Sequence, residues 1–169
     1  MPINVTLDQA EVQRVIDALP ATIFKAQRSA IGTTTTWAKK ELQNRMIGKT
    51  GIAAKVFRSF RVKSRRNRET GVVWLGIKDV KASYVGKMSQ DPAGAFAGQY
   101  FFEGGFVAKM RSGHTGIFKR SGKSRLPIAE QVVNLNIGTE VAEDVAVAAQ
   151  VELRNRFAAK MRELNPSIS

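Results

Sequence analysis

Residues 42–77, LQNRMIGKTGIAAKVFRSFRVKSRRNRETGVVWLGI, decide the fold class. Up to Ile47 the apolar positions recur at steps of three or four, the period of a helix face. Gly48, Lys49, Thr50 and Gly51 break that pattern, and the period then falls to two. Val56, Arg58, Phe60 and Val62 alternate loosely with other residues, and Gly71-Val72-Val73-Trp74-Leu75-Gly76-Ile77 is a strong strand candidate. The polar residues 64–70 between them read as a turn, so residues 55–77 are expected to form a basic β-hairpin.

Upstream of the break, Phe24, Ile31, Ala38 and Leu42 place a helix over 20–47, about 42 Å long at 1.5 Å per residue. Gly32 and the four threonines after it are its weak point, where a bend is expected. A first helix is read over 8–19, with Asp8 and Glu11 at capping-box spacing and Val12, Val15, Ile16 and Leu19 on one face. Pro20 is read as ending it and opening the second.

Downstream, residues 79–105 are too rich in Gly, Ala and small polar residues to assign. Short strands are expected at 106–110, 115–120 and 127–133. The last element is the clearest. Thr139 is a candidate N-cap, Glu140, Glu143 and Asp144 suit the positive end of the dipole, and Ala142, Val145, Ala149, Leu153, Phe157, Met161 and Leu164 form one stripe. The helix should run over about 139–164 and stop before Asn165 and Pro166. The expectation is one α+β domain over 1–169, an antiparallel β-sheet flanked by N-terminal helices and a long C-terminal helix.

Lys and Arg number 27 against 14 Asp and Glu, a net charge of +13 that points to an acidic or polyanionic partner. The surplus is concentrated. Lys49, Lys55, Arg58, Arg61, Lys63, Arg65, Arg66 and Arg68 fall in one acid-free segment, and Lys109, Arg111, Lys119, Arg120, Lys123 and Arg125 in a second. Arg58, Arg61, Lys63, Arg65, Arg66 and Arg68 are the candidates to meet DNA phosphates or an acidic neighbour. Charged hairpins also serve simply to keep strand edges from aggregating. No zinc-finger spacing, helix-turn-helix or aromatic RNA-binding signature accompanies them, so any nucleic-acid contact would be to backbone.

Without cysteine there is no disulfide, thiolate nucleophile or Cys-ligated metal. His114 is the only histidine. It could act as a base with Glu103 or Glu130, but a structural role, hydrogen-bonded to its own loop, is the stronger reading. No catalytic residue, metal or cofactor is expected, and the Gly-rich pieces at 94–98 and 104–105 match no phosphate-binding loop. In the run Tyr100, Phe101 and Phe102, adjacent aromatics cannot all face one interior, so one is expected at a subunit contact. Residues 1–6 lack the regions of a signal peptide, and no apolar run approaches the ~18 residues of a membrane span, so the chain is expected to be made in the cytoplasm.

Residues 113–128, GHTGIFKRSGKSRLPI, resemble a segment of the phage minor tail protein Z family, the tail-completion proteins of lambda-like siphophages. The shared pattern is a Gly-His, an aromatic followed by Arg-x-Gly, then Arg-Leu-Pro-Ile. Here His114, Phe118, Arg120, Arg125 and Pro127 carry it, with Lys119 between the aromatic and the arginine. The layout of helices, basic strand pair and C-terminal helix extends the likeness over nearly the whole chain.

The resemblance implies a tail-completion-like α+β fold and a structural minor tail protein of the virion. Such a protein would act at the head-proximal end of the tail and enable head–tail joining. Implied partners are the tail terminator and head–tail connector proteins, further copies in a ring, and the end of the packaged DNA. The alternative, from charge alone, is a nucleic-acid-binding protein that contacts DNA backbone without sequence specificity.

Overall fold

The computed structural model describes the backbone over residues 9–166 and side chains from Pro20 onward. The protein is α+β: two long helices, a basic hairpin and a set of short antiparallel strands. The capping pair Asp8 and Glu11, and the face of Val12, Val15, Ile16 and Leu19, lie outside the described side chains.

Helix α1 runs over Gln9–Thr50, about 63 Å at 1.5 Å per residue. It replaces the two expected helices, for Pro20 lies inside it. A proline there gives up one backbone donor, but helix continuity is set largely by tertiary packing. Ala26, Ala30, Ala38, Leu42 and Met46 bury one long face. Gly32 and the threonines do not break the helix either. Thr33, Thr35 and Thr36 donate their hydroxyls to carbonyls one turn back, Thr35 to Ile31 at 2.7 Å and Thr36 to Gly32 at 3.0 Å. Phe24, expected on the apolar face, is 69% exposed.

The helix ends at Gly51, whose φ of +61° is the left-handed conformation glycine adopts without strain. The Thr50 carbonyl, left without a helical donor, accepts from Tyr100 Oη at 2.7 Å and Gln99 Nε2 at 3.0 Å.

Residues Val56–Arg61 form a π-helical turn where a strand was expected. Val56 and Phe57 are adjacent and both buried, which the alternating faces of a strand do not allow. Strands β1 (Val62–Arg66) and β2 (Gly71–Leu75) then make the expected hairpin, paired from Val62 with Leu75 to Arg66 with Gly71. The hairpin lies across α1. A Cβ on Gly71 would stand 1.8 Å from Thr35 Oγ1, so only glycine permits that approach.

Residues 79–105, unassigned from sequence, hold β3 (Val80–Lys81), a short helix α2 (Ala82–Val85) and the meander β4 (Met88–Asp91), β5 (Gly94–Ala97) and β6 (Tyr100–Glu103). Strands β7 (Phe106–Lys109), β8 (Thr115–Arg120) and β9 (Ile128–Glu130) form a second three-stranded sheet, and β10 (Val132–Val133) pairs with β3. The single expected sheet is therefore four small ones. Strands of two to six residues separated by turns pair locally and do not extend one another. Gln90 links the two larger sheets, accepting from the Val107 amide at 2.8 Å and donating to the Gly94 carbonyl at 2.7 Å.

Helix α3 spans Ile137–Leu164, opening two residues before the expected cap. Asn136 occupies the cap position and Thr139 lies in the first turn; the Asn134 side chain has already turned the chain by accepting from the Asn136 amide at 2.7 Å. It stops before Asn165, as the sequence indicates. α3 packs antiparallel along α1 in the most extensive contact of the fold. Lys49 meets Glu140 at 2.7 Å near one end, and Ile23 and Phe157 flank one groove toward the other. The core gathers at the junction, where Met46, Ile52, Phe57, Ile117, Leu135 and Val141 are almost fully buried. Among the described residues no helix is long and apolar enough to cross a membrane.

Candidate interaction surfaces

Strand β8 carries the Gly-His motif, and its register sets what the motif residues meet. Gly116 is buried, and a Cβ there would come within 3.2 Å of both the His114 ring and the Glu130 carboxylate. That closeness lets His114 Nε2 reach Glu130 Oε1 at 2.7 Å. An ionised carboxylate can only accept, so Nε2 carries the proton. Lys81 Nζ reaches the other carboxylate oxygen, also at 2.7 Å. The ring thus meets a carboxylate on β9, not its own loop backbone, and Glu103, on β6, is not its partner.

Glu130 is the least exposed member of this triad, its side chain 16% exposed. Burial pushes its carboxyl up, but hydrogen bonds from Lys81 and His114, with their charges, outweigh that and hold it below the usual carboxylate value. The hydrogen bond to Glu130, and then its charge, raise the Lys81 ammonium above its ordinary value.

The motif continues outward as a stack. The His114 ring stands edge-on to Phe118, Phe118 pairs with Phe106 at 6.5 Å, and the Arg120 guanidinium lies 5.7 Å over the Phe106 ring. The structure therefore brings His114, Phe118 and Arg120 together. Arg125 and Pro127 stand apart from them, exposed on the loop between β8 and β9 with Leu126. Among the described residues no group of three His, Asp or Glu side chains is placed to hold a metal.

The hairpin cations divide by strand face. Val62, Ser64 and Arg66 alternate toward α1, where Arg66 Nη1 donates to the Gly32 carbonyl at 3.3 Å. Lys63 and Arg65 fall on the opposite face with their cross-strand partners Trp74 and Val72, both more than half exposed. Arg61 is held by the Asp79 carbonyl at 2.9 Å and Lys63 by the Ser59 carbonyl at 2.6 Å. Arg58, Arg65 and Arg68 are exposed, with no ion pair among the described residues. The six expected cations are thus not one patch: Arg61 and Arg66 brace the hairpin, and Arg65 and Trp74 define its free face.

A second aromatic patch stands on the meander. Phe96 and Phe101 face each other across β5 and β6 with ring centroids 4.7 Å apart, and both are exposed. Within the run Tyr100 to Phe102, Phe101 is the one that points outward. Sequence reading missed Lys81, and it missed Lys25 and Arg28, which α1 sets beside the hairpin tip. Nothing in the linear pattern announces that the tip folds back over that part of the helix. In comparisons with protein families, characterised proteins and solved structures, the chain finds no match.

Proposed function

We propose that this protein is a structural minor tail protein of a tailed bacteriophage, acting in tail completion at the head-proximal end and enabling head–tail joining. The observation that carries the reading is the grouping of the motif residues. His114, Phe118 and Arg120 form one braced unit through Glu130 and Phe106, and β8 runs on from it into the exposed loop that holds Arg125, Leu126 and Pro127. A rigid base under an exposed basic and apolar loop suits docking on a neighbouring subunit.

The exposed surface supports the same reading. Trp74 and Val72 are exposed beside Lys63 and Arg65 on the hairpin, and Phe96 and Phe101 form a second exposed apolar patch on the meander. On this reading the partners are the tail terminator, the connector and further copies in a ring, and the protein is not an enzyme. Glu130 joins Lys81 and His114, and on this reading the histidine serves to brace the motif.

Complementation tests the reading. Purified protein is added to tails assembled without it, heads are supplied, and infectious particles are counted. Recovered infectivity is expected, and His114→Gln, which keeps a donor near the Nε2 position, should recover it as well. Tails already infectious without the protein would overturn the assignment.

A further inference from the structure

The tip of the hairpin and the N-terminal half of α1 enclose an open cleft of about 1250 Å³. From α1, Lys25, Arg28, Ser29 and Gly32 fall on one helix face at spacings of three and four. From the tip come Arg66, Asn67 and Arg68. Four cations from two distant segments therefore line one space, against the single carboxylate of Glu69. Lys25, Arg28 and Arg68 have no ion pair among the described residues.

The walls are held in place. Arg66 is seated on the Gly32 carbonyl, and the Asn67 side-chain oxygen accepts from the amides of Glu69 and Thr70 at 2.9 and 2.6 Å, which fixes the turn. These bonds leave the Asn67 amide group free to donate beside the charges. Like charges brought together from separate elements repel one another, an arrangement that an anionic ligand relieves.

We propose that this cleft binds successive phosphates of a nucleic-acid backbone, with Lys25 and Arg28 on one side of the strand and Arg66 and Arg68 on the other. Point-charge and fork-shaped donors with no base-reading element give affinity without sequence preference. The proposal is independent of tail completion: a parent protein that complements tails but binds no DNA would count against the cleft alone.

The test is fluorescence anisotropy of the full chain with a short labelled duplex, titrated between about 50 and 200 mM salt. Lys25→Gln/Arg28→Gln should weaken binding at least about tenfold at the low-salt end and reduce the slope of log K on log salt by about two. The pair Lys39→Gln/Lys40→Gln removes the same charge elsewhere on α1 and should stay near the parent. Arg68→Gln, an exposed single change on the other wall, should reduce the slope by about one. Circular dichroism checks that each variant folds, and Arg68→Gln carries the test if the α1 pair does not. The proposal is overturned if the parent does not bind, if both lysine-containing pairs lose affinity equally, or if polyglutamate displaces the duplex as well as unlabelled DNA does.

Discussion

The Arg66 guanidinium rests on the backbone of Gly32, its Nη1 3.3 Å from the carbonyl oxygen and 3.1 Å from where a Cβ would stand. The glycine that weakens α1 by propensity is therefore also the seat of the hairpin. Only the far end of a flexible side chain meets that missing Cβ. Gly32→Ala should thus be neutral or stabilising by up to about 1 kcal/mol, because helix propensity improves while Arg66 shifts slightly. Thermal unfolding measures it, and a clear fall in midpoint would show that the contact is rigid.

Gly71 should behave in the opposite way. An added Cβ would meet Thr35 Oγ1 at 1.8 Å and Thr35 Cβ at 3.1 Å, and that hydroxyl is tied to the Ile31 carbonyl. Gly71→Ala is expected to cost about 1–3 kcal/mol through displacement of the hairpin from α1. Chemical denaturation of the two glycine variants side by side tests the contrast.

Glu130 should make stability depend on acid. Its carboxyl lies below its ordinary value of 4.5 in the folded protein, so the stability it contributes is present above that value and lost as pH falls through the depressed one. Glu130→Gln should cost about 2 kcal/mol near neutrality, less than a fully buried pair because Lys81 can turn to water. The gap between parent and variant should close as pH drops below about 4.5. A gap that stays constant across the range would mean that packing, not charge, is what Glu130 supplies.

How much of this was legible in the sequence follows from the range of the interactions. Strand β2 and the end of α3 before Asn165 rest on local patterns and stand where those patterns place them, whereas β1 starts only at Val62 and takes in residues 64–66, read as turn, because the stretch before it winds into a π-helical turn that buries Val56 and Phe57 together. The continuity of α1 through Pro20 and Gly32 was not legible, because contacts with α3 and the hairpin, more than 30 residues away, override local preference. The meander at 88–103 was missed because buried Gly94, Ala95 and Ala97 carry too little side chain to show alternation. At the candidate site, Glu130 stood as one of two partners for His114, but Lys81 reaches the pair through the β3–β10 pairing, which no local motif marks.

The outward aromatics should separate stability from assembly. Trp74 is 56% exposed and Phe101 45%, so neither contributes its full burial energy to the monomer. Trp74→Ser and Phe101→Ser should each cost under about 1.5 kcal/mol. Both should reduce infectivity recovered in the complementation assay. Full recovery with both variants would remove these patches from the docking surface.

The shared acceptor at the end of α1 predicts coupling. Tyr100→Phe or Gln99→Ala alone leaves the Thr50 carbonyl one donor and should cost about 0.5–1.5 kcal/mol. The double variant orphans a buried acceptor and should cost more than the two singles summed. Strict additivity in that double-mutant cycle would show that water replaces the lost donors.

The antiparallel course of α1 and α3 has a practical corollary for handling the molecule. The start of α1 and the finish of α3 are directed toward one pole, and the β-strands and both aromatic patches are fed from the chain between the helices. A circular permutant opened within the exposed segment 121–127, its old ends bridged by a flexible spacer, would keep both long helices uncut.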